Sequence, residues 1–313
     1  AALRGVSPEH DWTKAVPPTH IAKGVSSYYN KDGVLAGQWV KADIDYDQRE
    51  AILKECATAL AESVKGLAKP VKAPAKALDK LMAVYPWGDP HFGPLCWAQE
   101  AGDDFDLGYA DRLTKSAVDR LVATAPAAET AVLLNLGDMF HADNQKNQSQ
   151  SGHQLDVDGR WAKILRVGLE AKIHCIRRML EKHKRVIVRI NRGNHDGHSS
   201  YSLSLMLSCY FSNEPRVEVD LSPSTLWYME FGNVLIGSTH GDTIKGKDAI
   251  AVMAADKPEA WGRTKHRHML VGHVHHHDSK EYPGGIVEYF RTLAARDAWH
   301  TNQGYRGLNH EQR

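Results

Sequence analysis

Five short segments concentrate carboxylate, imidazole and carboxamide side chains. They are Gly88-Asp89-Pro90-His91, Gly137-Asp138-Met139-Phe140-His141, Gly193-Asn194-His195-Asp196, Thr239-His240-Gly241-Asp242 and Gly272-His273-Val274-His275. Each follows an apolar run that reads as a buried strand; Val186-Ile187-Val188 before the third is the plainest. In open α/β sheets, ligands bind outside the carboxyl ends of strands. Successive segments lie 49, 56, 46 and 33 residues apart, which suits one per strand–helix unit.

The residue types fit cation chemistry. In extended backbone, Asp89-x-His91 and His273-x-His275 turn both side chains the same way, so each pair can grip one ion. Asp138 has two carboxylate oxygens and can bridge two ions. Asn194 offers a neutral oxygen and His240 a nitrogen. Such a mixed N/O set suits manganese, iron or zinc better than calcium or a thiolate-bound metal. Two cations about 3.5–4 Å apart serve displacement at phosphorus, one activating water and both neutralising developing charge.

These groups need a scaffold, and the chain is long enough for one. It has 313 residues, a formal net charge of +1, 42% hydrophobic and 25% charged residues. That is an ordinary globular composition for one large domain or two small ones. Near-neutral charge does not announce a nucleic-acid binder, although local patches can hide in a neutral total. The cysteines Cys56, Cys96, Cys175 and Cys209 form no C-x-x-C pair, so a reduced, cytoplasmic compartment is expected. No apolar run approaches the roughly 18 residues of a membrane span. The polar N-terminus shows no signal peptide. Histidine stands out, with 18 residues, several clustered.

Residues 1–24 read as irregular, broken by Pro8, Pro17 and Pro18. Lys31-Asp32-Gly33 between aromatic-rich runs predicts a hairpin. The spacing of Ile52, Leu53, Cys56, Leu60 and Val64 predicts a helix over 47–65. The expected organisation is an N-terminal appendage (1–66), a Lys/Pro/Ala-rich linker (67–80) and a catalytic domain (81–313). Strands are expected at Leu81–Trp87, Ala131–Leu136, Arg185–Ile190, Asn233–Ser238, His268–Val271 and Ile286–Leu293. Pro86 places the first at an edge or bulge. Helices are expected at Tyr109–Ala123, Trp161–Lys182, Ser200–Phe211 and Asp248–Ala255. The alternation argues for a layered α/β fold.

Asp89-x-His91, Gly137-Asp138, Gly193-Asn194-His195-Asp196, His240-Gly241 and Gly272-His273-x-His275 together resemble the signatures of calcineurin-like metallophosphoesterases, over roughly residues 81–290. The resemblance implies a four-layer α/β/β/α sandwich carrying the N-terminal hairpin and helix as an appendage. It implies a binuclear centre: Asp89, His91 and His275 on one metal, Asn194, His240 and His273 on the other, and Asp138 bridging. His195 is implied as the acid that protonates the leaving oxygen or contacts phosphate, with Asp196 as its orienting partner. Asp89-Pro90-His91-Phe92-Gly93 and Gly137–His141 are most similar to the DNA double-strand-break repair nuclease branch, and His141 is then a second substrate-facing imidazole. The capping domain of that branch has little chain left to form it after His275, and phage phosphoesterases also offer a likeness.

The function expected is hydrolysis of phosphodiesters, DNA or RNA ahead of cyclic nucleotides or other small diesters, by in-line attack of metal-bound hydroxide. Two divalent ions are expected, manganese first, then iron or zinc. The alternatives are a phosphomonoesterase and a non-catalytic, metal-stabilised nucleic-acid-binding protein. A single His or Asp after a strand is ordinary polar surface; five such segments together are not. Asp242, His276 and His277 are expected off the metals. The basic runs Lys182–Arg185 and Arg263–His268 read as solvated helix ends or loops, with backbone tracking of a nucleic acid as the alternative.

Overall fold

The computed structural model describes residues 20–44, 65–149 and 151–304. The chain divides into two compact units, Ala1–Val64 and Lys65–Arg313. In the first, β1 (His20–Tyr29) and β2 (Leu35–Ile44) pair antiparallel. Their turn is held by Asn30, whose Oδ1 accepts from the Asp32 and Val34 N–H groups. The strand pair thus begins at His20, inside the stretch expected to be irregular. The helix predicted over 47–65 falls almost wholly outside the described residues.

The second unit opens with residues lying on its own surface. The Gly66 and Ala68 N–H groups donate to the Cys209 and Tyr210 carbonyls, and Arg216 donates to the Val71 carbonyl. β3 (Leu78–Trp87) starts three residues before the expected boundary. One sheet is all parallel, in the order β3, β4 (Ala128–Asn135), β5 (Arg185–Ile190), β6 (Val217–Val219). β3 is an edge strand, which explains why Pro86 is tolerated there. The other sheet is mixed. Its order is β10 (Asp278–Tyr282), β11 (Gly285–Tyr289), β9 (His266–Val271), β8 (Val234–Thr239), β7 (Trp227–Phe231). The pairs β11–β9 and β9–β8 are parallel; the outer pairs are antiparallel.

The helices are α1 (Ala98–Ala101), α2 (Leu107–Thr124), α3 (Trp161–Lys182), α4 (Gly197–Tyr210), α5 (Gly246–Asp256), α6 (Pro258–Arg263) and α7 (Ala298–Asn302). None in the described residues is long and apolar enough to cross a membrane. Asp106 caps α2 by accepting from the Tyr109 N–H. In α3 the stripe Ile164, Gly168, Ala171, Cys175 and Met179 is buried.

Strand alternation sorts the core. Ala131 and Leu133 of β4 join Val118, Ile176 and Leu207 of the helices. Val132 and Leu134, facing the other way, join Trp227, Ile236 and Leu270 of the mixed sheet. On that sheet's opposite side, Leu235, Met269 and Val287 pack with Ile250 and Met253 of α5. Both faces of β4 and β5 are thus buried, which is why these two strands carry near-continuous apolar runs. The basic run after α3 is spent on the fold: Lys182 donates to the Val122 and Ala123 carbonyls, the His183 ring bonds Tyr85 and Ala128, and Lys184 and Arg185 pair with Glu129 and Glu218.

One core residue is misplaced on solvation grounds. Lys172 is fully buried and its Nζ has no hydrogen-bond partner among the described residues. It sits 4.9 Å over the ring of Trp87, the last residue of β3. Burial pulls its pKa down from 10.5 to about 8. The folded value lies below the unfolded one, so stability rises with pH from about 8 to 10.5 and the full penalty applies below 8. Lys172→Met should therefore stabilise the protein at pH 7, by on the order of 1–3 kcal/mol. Denaturant unfolding at pH 7 and pH 10 checks this; the gain should shrink at the higher pH.

Candidate metal centre

The five segments follow the ends of β3, β4 and β5 in the parallel sheet and of β8 and β9 in the mixed one, and hydrogen bonds draw the two sets of ends together. The His240 Nδ1–H donates to the Leu136 carbonyl at 3.0 Å, from the mixed sheet to the parallel one. The His273 N–H donates to Asp89 Oδ2 at 2.9 Å. The His91 N–H donates to the Asp138 carbonyl at 2.9 Å, and the His195 N–H to Asp138 Oδ1 at 2.8 Å.

Two donor groups result. Asp89, His91 and His275 offer atoms all within 4.8 Å of one another, and so do Asp138, His240 and His273. Asn194 belongs with the second, its Oδ1 lying 3.0 Å from His240 Nε2. Asp138 reaches both: its Oδ2 is 3.9 Å from His91 Nε2 and 3.2 Å from His240 Nε2. His91, His141 and His195 form a third close set, with the His141 and His195 rings stacked at 5.4 Å.

The backbone differs from the extended geometry expected of Asp-x-His and His-x-His. Asp89, His91, Asp138, His273 and His275 all have positive φ, between 43° and 72°. Among the described residues, Asn147 is the one other non-glycine residue with positive φ. Left-handed backbone, not strand alternation, converges each pair. Asp and His tolerate that region better than most residues, at a cost. Thr292, which the sequence did not single out, supports it by donating Oγ1–H to the Asp89 carbonyl at 2.6 Å.

Asp196 is also placed differently from the expectation. Its oxygens accept from the Gly193 N–H at 2.9 Å and the Phe140 N–H at 3.1 Å, tying the second segment to the third. The His195 ring is held instead through Nδ1 by the His141 carbonyl at 2.8 Å. Asp196 is buried among turning backbone whose N–H groups need acceptors, so they take the carboxylate. Asp143, another residue not singled out, accepts from the His198 and Ser199 N–H groups at the start of α4. Asp242 is exposed; His276 and His277 turn to the Val274 carbonyl and Glu288.

The electrostatics calls for a cation. Asp89 and Asp138 are 0% and 2% exposed. Burial pushes Asp89 up, with His240 opposing. Burial resists ionisation of Asp138 too, but His240 holds it well below the usual carboxylate range. Burial would lower His240; the neighbouring Asp138 and Asp89 carboxylates prevail and push it up to about 10. A proton on His240 thus stands where a metal's charge would. With its Nδ1–H given to Leu136, a neutral His240 would aim its Nε2 lone pair at the Asn194 and Asp138 oxygens, an arrangement only a shared cation satisfies. Elsewhere burial keeps the rings of His91, His141, His273 and His275 neutral, the form that ligates metals. The Nε2 atoms of His91 and His275 face each other at 3.1 Å, and the buried Nδ1 atoms of His91 and His141 lack hydrogen-bond partners among the described residues. These His and Asp groups could hold a metal ion.

No protein-family model and no curated protein matches the chain. Similar solved structures include a conserved protein from Streptococcus pneumoniae TIGR4 described as a predicted phosphoesterase. It is 11% identical over 67% of this chain and 72% of that one, with a TM-score of 0.29. Another is the Phosphopantetheinyl Hydrolase (PptH) from Mycobacterium tuberculosis, 11% identical over 75% of this chain and 97% of that one, with a TM-score of 0.32. Likeness of that strength carries no argument, and the function is read from the site itself.

Two glycines keep the groups close. A Cβ on Gly193 would overlap the Asp138 carboxylate, and one on Gly137 would overlap the His240 ring. Gly193→Ala should displace Asp138 and weaken Mn²⁺ binding at least ~10-fold. Calorimetric titration of the metal-stripped variant checks this; unchanged affinity would show that Asp138 does not contact the ion.

Proposed function

We propose that the protein is a binuclear metal-dependent phosphoester hydrolase of the calcineurin-like type, a four-layer α/β/β/α sandwich acting on phosphodiesters. The three separate core clusters support the layer reading. The observation that carries the function is the reach of the Asp138 carboxylate into both donor groups. Asp89, His91 and His275 would hold one ion, Asn194, His240 and His273 the other, with Asp138 shared. Manganese suits the mixed donors, with iron or zinc as alternatives. Such a pair, when bound, would supply an acidified water and neutralise charge on the phosphoryl oxygens.

The chain's own groups do the rest. His195, its Nδ1–H given to the His141 carbonyl, would as the imidazolium carry a second proton on Nε2 and pass that one to the leaving oxygen, ending as the neutral ring. His141 stacks beside it and walls the site. Asp196 fixes the loops that carry both, and so acts on position rather than on protons. Among diesters, the segments Asp89–Gly93 and Gly137–His141 favour nucleic acid over small diesters.

With Mn²⁺, the protein should hydrolyse bis(p-nitrophenyl) phosphate, and Asp138→Asn should lower kcat/KM by roughly 10³-fold, the several kcal/mol expected of the metal pair. Two Mn²⁺ bound without turnover of this diester, of single- or double-stranded DNA, or of RNA would instead mark a metal-stabilised binding protein.

A further inference from the structure

One more imidazole stands at the centre, from outside the five segments. His300 lies on α7, and its ring stacks on that of His275, centroids 5.2 Å apart and planes at 21°. The ring is itself fixed. Its Nδ1 is 2.7 Å from Asp297 Oδ1, and the same oxygen accepts the His300 N–H at 2.8 Å. Burial opposes ionisation of Asp297, but the bonds from His300 hold it charged, at about 2. An ionised acceptor bonded to both the ring and the main chain leaves the imidazole little rotational freedom.

His275 needs such support. A metal-ligating histidine ordinarily gives its second nitrogen to a carbonyl or carboxylate, which fixes ring orientation. Among the proposed ligands, His240 does so through the Leu136 carbonyl. For His275, Nε2 faces His91 Nε2 and Asp89, while no hydrogen bond holds Nδ1 among the described residues. The stacked face of His300 occupies the role that a hydrogen bond fills at His240.

We propose that His300, clamped by Asp297, is a positioning residue that orients His275 for one of the two metal ions. The inference rests on the binuclear reading above. It extends the site to a sixth piece of chain and makes α7 part of the centre.

The test is titration of MnCl₂ into the metal-stripped, full-length protein, with thermal unfolding as a control for folding. His300→Ala should weaken one of two Mn²⁺ sites by ~10-fold and leave the other within about 2-fold. His300→Phe, which keeps a ring to stack, should recover most of that loss. Asp297→Asn should shift the same site the same way while keeping the ring. Equal affinity in His300→Ala and the parent would overturn the proposal, as would an equal loss at both sites or no recovery with Phe. Failure of the parent to bind Mn²⁺ would overturn the binuclear reading and this inference with it, a result distinct from the others.

Discussion

Two carboxylates, Asp89 and Asp138, are taken out of water side by side, and the rest of the unit answers that constraint. Removing an ionised group from solvent costs several kcal/mol unless a countercharge is close. Peptide donors contribute: His273 to Asp89, His195 to Asp138. They offset only part of the cost: burial still pushes Asp89 up, while His240 holds Asp138 well below the usual carboxylate range. The remaining positive charge is localised on His240, pressed between both carboxylates. Two buried carboxylates ringed by imidazoles that burial keeps neutral could hold a metal ion.

Backbone strain tells the same story independently. Left-handed conformation costs a non-glycine residue roughly 1–2 kcal/mol. Five donor residues adopt it, for a total on the order of 5–10 kcal/mol, comparable with the whole stability of a domain. Such a cost persists only where surrounding structure over-determines it. Here that structure is a set of cross-ties: Thr292 on the Asp89 carbonyl, Asp196 on the Gly193 and Phe140 amides, Asp143 on the first turn of α4. None of these residues faces the ions in the proposed scheme, yet they keep the donors where they are.

Much of this was legible in the residues, and the rest was hidden for physical reasons. Strand β5 and helix α3 occur at the residues expected because an unbroken Val/Ile run and a long apolar stripe admit one reading each. β6, β7 and β10 escaped notice. They are three to five residues long, and β10 is polar and exposed along most of its length. The positions of the ligand-type residues after strands were readable from composition alone. Their geometry was not: Asp-x-His reads as extended until the turn reveals left-handed backbone. Asp196 could not be placed by type, since a carboxylate beside a histidine is as ready to accept from peptide amides as from the ring. His300 and Asp297 lie after the last strand, where no periodicity marks them.

In the proposed centre, two cations sit among seven side chains from five strand ends. Anomalous scattering from crystals grown with Mn²⁺ tests it most directly. Two peaks are expected flanking the Asp138 carboxylate, one against Asp89, His91 and His275 and one against Asn194, His240 and His273. A map without peaks there, with the His240 ring still bonded to Asp138, would contradict it.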